Sequence, residues 1–166
     1  MKKLTVLLRS MALLFGLTII IGSKPVDTNN NSGYEYMSQI IDNKKEFTVD
    51  VFKAMPADAY TFATTVDVRT FGEQAFHIAY SMEWFNAQLS GNSIEWAPGD
   101  ESRLSKDELI EYISKEFDTL KATVMKAEES PRFTTGIMGA LDHNTHHLGQ
   151  MVAYLRANGQ TPPAYK

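Results

Sequence analysis

Cysteine is absent from all 166 residues. That excludes disulfides, a thiol nucleophile and thiolate metal ligands, so stability rests on packing and on any metal held through nitrogen or oxygen. Basic charge is scarce as well. The 16 Lys and Arg against 20 Asp and Glu leave a net charge of -4, and Lys2, Lys3 and Arg9 stand within the first nine residues. Nucleic-acid domains carry a basic face, so no nucleic-acid partner is expected. GxSxG, P-loop and GxGxxG motifs are missing, which removes the serine-hydrolase, phosphate-loop and dinucleotide readings. "HNTHH" places Asn144 where the HExxH motif has the glutamate of a zincin. No convincing period-two alternation and no internal repeat are found, so a sheet and a solenoid are both unexpected.

The chain opens "MKKLTVLLRSMALLFGLTIIIGSKP". A basic start precedes the apolar run Met11 to Ile21, about half of the ~20 residues a membrane span needs, and Ser23 offers a small residue for cleavage. Residues 1–23 therefore read as an export signal, with a retained N-terminal anchor as the alternative. A lipoprotein route would need a cysteine. The reading implies a periplasmic or extracellular protein with no stable membrane span after cleavage. Losing three cations and no acidic residue takes the net charge from -4 to -7. Lys24 to Gly33, "KPVDTNNNSG", reads as a flexible leader. Residues 34–166 then form one domain, long enough to bury roughly two thirds of its unfolded surface without staples.

Four amphipathic segments follow. From Tyr34 to Met55 the apolar residues Tyr36, Ile40, Ile41, Phe47, Val51 and Phe52 recur mostly at three- and four-residue steps, and Pro56 closes the segment. The second starts on a capping box, Thr70 and Glu73, carries Phe71, Ala75, Ile78, Met82, Phe85 and Leu89 on one face, and ends at Gly91. Ser105 and Glu108 open the third, whose stripe is Leu109, Ile113, Phe117, Leu120 and Val124, running to about Ala127. After Ser130 and Pro131 a fourth pattern begins near Thr135 and stops at Gly159, before Pro162 and Pro163. The expectation is an all-α four-helix bundle. The connection Gly91 to Leu104 can extend ~45 Å, more than the ~30 Å of a twenty-residue helix, so a crossover making helices 2 and 3 parallel neighbours is feasible.

Three of the four histidines fall in the fourth segment. His143 and His147, four apart, project from one helix face with Cβ atoms about 5 to 6 Å apart, a spacing that can serve one ion. With Ile137 at zero they lie near 240° and 280°, flanking an apolar stripe that spans about -40° to 60°. His77, counted from Phe71, also lies near 240° on its helix. Flanks of adjacent helices meet in a groove, where His77 would complete a set of three imidazoles. The plainer alternative is that all three are hydrogen-bonded border histidines without an ion. His146 lies near 180°, opposite the apolar face, and reads as exposed or as support for a ligand. Gln150, Tyr154 and, on helix 2, Trp84 share the histidine side and are candidates to line a pocket, or simply pack between helices. Gly136, Gly139 and Gly149 carry a helix cost of about 1 kcal/mol each, which points to close helix approach or room for a ligand. Glu73 is the nearest acidic residue, with capping as its simpler job; Glu83 and Asp142 point away. No general base or other catalytic residue is identified.

The stretches "FHIAYSMEWF" and "LDHNTHHLGQMVAYLRANGQTPPAY" resemble the DinB-like superfamily, helical bundle proteins distinct from the polymerase of that name. His143, His147, Gly149, Gln150, Tyr154, Leu155, Arg156, Gly159 and Pro163 match its late motif, and Leu148 stands where arginine is usual. The resemblance implies a four-helix bundle with a long connection between helices 2 and 3. It also implies a divalent metal, zinc, nickel or similar, on His77, His143 and His147. Relatives include metal-dependent transferases acting on small thiols, a pool that an exported protein would not meet. The expected function is an exported metal-dependent enzyme of transferase or hydrolase type, acting on a small molecule. The alternative is a non-catalytic metal- or ligand-binding bundle in the cell envelope, and a homodimer is compatible with either.

Overall fold

The computed structural model describes residues 33–166; the export signal and nearly all of the leader read from the sequence lie outside the described residues. Four helices account for the architecture: α1 (Met37–Ala54), α2 (Phe71–Leu89), α3 (Lys106–Val124) and α4 (Pro131–Ala157), with a single 3₁₀ turn at Ala57–Ala59. No strand occurs among the described residues. None of the helices there is long and apolar enough to cross a membrane.

Both capping boxes form. Thr70 and Ser105 accept from the backbone N–H of Glu73 and Glu108, whose carboxylates bond back to the cap backbone. Each box satisfies two of the N–H groups a helix start leaves orphaned. α4 starts four residues before the expected Thr135. Ser130 is its cap, accepting from Phe133 N–H, and Pro131 is its first residue. Proline lacks an N–H where none is needed, so it initiates this helix instead of separating two segments.

The stripe of α3 is buried as expected: Leu109, Ile113, Phe117, Leu120 and Val124 are all within the core, against Phe71, Ile78 and Met82 of α2. On α1 the outcome is split. Ile41, Phe47, Val51 and Phe52 are buried, but Tyr36 and Ile40 are 60% and 43% exposed. They border an apolar groove of about 390 Å³ shared with Met37, Ile137, Met138 and Leu141 of α1 and α4.

Side-chain pairs give the helix directions. On α2 and α3 the pairs advance together: Tyr112 donates to Glu83, and Asn86 bonds Glu116 at 2.8 and 2.9 Å. These helices are parallel. α1 runs against α3, through Lys45 with Asp118 and Lys121 with Asp42, and alongside α4, through Tyr34 with Thr134 and Lys44 with Thr145. α2 runs against α4, with Arg69 beside Tyr154 and Gln74 beside His147. α1 and α2 each pack on both α3 and α4, so they occupy opposite corners. Because α2 and α3 are parallel, residues 90–105 must return the full length of the bundle. That return strap runs beside α2: Tyr80 accepts from Ala97 N–H, Trp84 donates to the Ile94 carbonyl, and the Arg103 guanidinium lies 4.0 Å over the Phe76 ring.

Replacing the Ser105 cap with alanine is expected to lower unfolding free energy by about 1 kcal/mol. Gly149, an exposed helical glycine with nothing within 4 Å of an added Cβ, should behave oppositely: Gly149→Ala raises it by about 1 kcal/mol. Urea denaturation of the metal-free variants measures both signs.

Candidate metal centre

Leu89 and Phe85 of α2 pack over Gly136 and Gly139 of α4. A Cβ at Gly136 would stand 2.7 Å from Leu89 Cδ2, and one at Gly139 would stand 3.4 Å from the Phe85 ring. Only at Gly136 would the added Cβ force a shift, of the Leu89 side-chain end; at Gly139 the contact is an ordinary one, and Gly149 meets nothing. Further along this antiparallel seam the facing residues become polar. His77 is 8% exposed, while His143 and His147 are half-buried.

The three rings converge. Centroids lie 4.5 Å apart for His77 with His147 and for His143 with His147, and 5.2 Å apart for His77 with His143. One nitrogen from each falls within 4.8 Å of the other two. A tetrahedral ion at ~2.1 Å needs nitrogens about 3.4 Å apart. His77 Nε2 and His147 Nε2 are 3.2 Å apart, already close to that spacing. The cluster is therefore compatible with one divalent ion.

The hydrogen bonds around the pair couple its tautomers to its neighbours. Two lone pairs at 3.2 Å would repel, so a hydrogen or a cation must lie between the Nε2 atoms. Without a metal, His147 Nε2–H donates to His77 Nε2, and His147 Nδ1 accepts from the Gln74 amide at 2.6 Å. The other tautomer also has a partner, because Gln150 Oε1 lies 2.9 Å from Nδ1 and can accept its N–H. Gln74 therefore serves the first tautomer and Gln150 the second, each on the far side of the ring from His77. His77 Nδ1 is buried with no hydrogen-bond partner, and Glu101 Oε1 stands 3.9 Å away. Glu101 is held by Arg69 at 2.5 Å.

Burial is the main reason these imidazoles stay neutral. Desolvation, with Arg69 and the neighbouring rings adding to it, pushes His77 down to about 3 from the ordinary 6.5. Desolvation and the two nearby histidines push His143 to about 4, and burial also lowers His147. Neutral imidazole is the form that binds metals.

The remaining sequence candidates occupy different places. Gln150 touches His147 directly. His146 is exposed on the outer face, its ring 4.8 Å from that of His147. Tyr154 is buried and donates to the Arg69 carbonyl at 3.0 Å, anchoring the entry to α2. Trp84 stands one ring away from the cluster: its centroid is 6.3 Å from Trp96, and Trp96 is 5.7 Å from His77. Glu73 caps α2, and Glu83 accepts from Tyr112. Sequence reasoning missed Gln74, Trp96, Glu101 and Arg69. Gln74 was within reach, one turn before His77 and beside the stripe on the same wheel.

A crystal structure of a DinB-like protein from Bacillus cereus ATCC 10987 matches 77% of this chain and 94% of its own, with a TM-score of 0.62 and 17% identity. The fold is DinB-like. At that identity the likeness bears on the DinB-like fold alone. No family model and no curated protein matches the chain.

The depressed imidazoles make metal-free stability depend on pH. Their folded-state values lie below the unfolded value of 6.5, so the unfolded chain binds more protons in between. Stability is then greatest above 6.5 and falls as pH drops toward 4. Chelator-treated protein is expected to lose stability between pH 6.5 and 5, above the carboxylate range, and His77→Asn to flatten that part of the curve. Denaturant midpoints across this window measure it.

Proposed function

We propose that this is an exported protein that holds one divalent metal ion on His77, His143 and His147 and uses it in transferase or hydrolase chemistry on a small molecule. The observation that carries the reading is the convergence of three neutral imidazoles from two helices. His77 and His147 would ligate through Nε2, the nitrogens that face each other at 3.2 Å. The buried, unpartnered Nδ1 of His77 fits the same assignment, since a nitrogen ligand keeps its hydrogen on the opposite ring atom. An all-imidazole set suits zinc, nickel and similar borderline ions.

Three protein ligands leave coordination positions free for substrate or water. A divalent ion in such a site supplies Lewis acidity and lowers the pKa of a coordinated water or thiol toward 7. The chain's own part is to orient and exclude. With Nε2 on the ion, His147 Nδ1–H would donate to Gln150 Oε1 and so hold the ring; Phe85 and Trp96, with centroids 5.8 Å from His143 and 5.7 Å from His77, wall the cluster with apolar surface. The second reading is a non-catalytic metal-binding bundle. It draws on one observation: the hydrogen bonds at the ring nitrogens come from glutamine amides and the imidazoles themselves, and the carboxylate of Glu101 stands 3.9 Å from His77 Nδ1, on the far side of that ring from the assigned ligand atom.

Elemental analysis of protein purified without a histidine tag is expected to give one zinc or nickel per chain, and His147→Ala to reduce this below a tenth. A wild-type chain free of metal after growth in supplemented medium would sink the ion site. With cobalt substituted, a change in the visible spectrum on adding azide or a small thiol supports the enzyme reading. An unchanged spectrum favours the binding bundle. Mass spectrometry of the protein from fractionated cells tests export: a periplasmic or secreted species beginning near residue 24 is expected.

A further inference from the structure

Taking the three-imidazole ion site as the starting point, we propose that Glu101, carried on the return strap, is the positioning residue of His77. Its carboxylate accepts a hydrogen bond from His77 Nδ1–H and so commits Nε2 to the ion. The geometry leaves little else for it to do at the site. Nε2 of His77 faces His147, whereas Nδ1 on the other edge of the ring faces Glu101 at 3.9 Å. The carboxylate therefore lies behind the ligand and cannot reach the same ion without displacing the ring.

Two further observations point the same way. His77 Nδ1 is buried and unpartnered, and an unpaired buried N–H is costly enough that native structures seldom leave one without an acceptor. Closing the gap from 3.9 Å to a normal hydrogen bond needs a shift of about 1 Å. Glu101 can make that shift, because among the described residues its carboxylate is held by the partly exposed Arg69 side chain, bonded at 2.5 and 3.3 Å. Metal binding raises the acidity of a coordinated imidazole, which strengthens its N–H as a donor and draws the carboxylate in.

Zinc affinity, measured on the untagged full chain by competition with a chromophoric chelator, tests this. Glu101→Ala is expected to weaken zinc binding 10- to 100-fold. Glu101→Gln, which keeps an acceptor oxygen but no charge, should fall between alanine and wild type. Nitrogen NMR of the zinc-loaded wild type should show His77 Nδ1 protonated and slow to exchange, with fast exchange in Glu101→Ala. A merely structural carboxylate would not move that signal. Glu101→Ala binding zinc within twofold of wild type, or His77 coordinating through Nδ1, overturns the proposal while leaving the ion site intact. A wild-type chain that takes up no zinc removes the ion site and this proposal together.

Discussion

The close approach of α2 and α4 is the constraint on which the site depends. Gly136 lets the Leu89 side chain sit against the α4 backbone, Phe85 packs beside it over Gly139, and the antiparallel seam continues along both helices. One register therefore brings His143 beside Phe85, His147 between Gln74 and His77, and Tyr154 under Arg69. A wider separation would leave the imidazoles as isolated surface groups. The same approach desolvates them, and desolvation is what keeps their nitrogens unprotonated.

The second constraint is topological. Parallel neighbours cannot be joined by a tight turn, and α2 and α3 are parallel, so sixteen residues from 90 to 105 must travel back along the bundle. The path is fixed by contacts to α2 that are mostly aromatic or polar: Tyr80, Trp84 and Phe76 hold residues 94 to 103. In consequence the strap delivers Trp96 against the ring of His77 and Glu101 to its Nδ1 edge. Those residues belong to the site only because of the helix order.

Much of this was legible in the chain, for identifiable reasons. α2 and α3 announce themselves through capping boxes and unbroken stripes, and the structure keeps both. The i,i+4 histidine pair and the flank position of His77 led to the ring cluster, because helical periodicity is a local rule that survives folding. Pro131 misled, since proline both stops helices and starts them, and only the cap role of Ser130 decides which. Tyr36 and Ile40 satisfied the apolar period of α1 yet remain exposed, because periodicity cannot tell which edge of a broad stripe a neighbour will cover. Glu101 and Trp96 lie in a segment without period, where position follows from the return path and no local pattern records it.

His77 and His147 are 70 residues apart, and nothing in the chain can form a disulfide between helices. An ion shared by these rings would close a loop of that length in any partly unfolded form that still held it. On the chain-entropy scale such a closure is worth on the order of 4 kcal/mol. The metal would then serve this thiol-free bundle as a reversible clasp, and removing it would loosen α2 from α4 before disturbing the α2–α3 core.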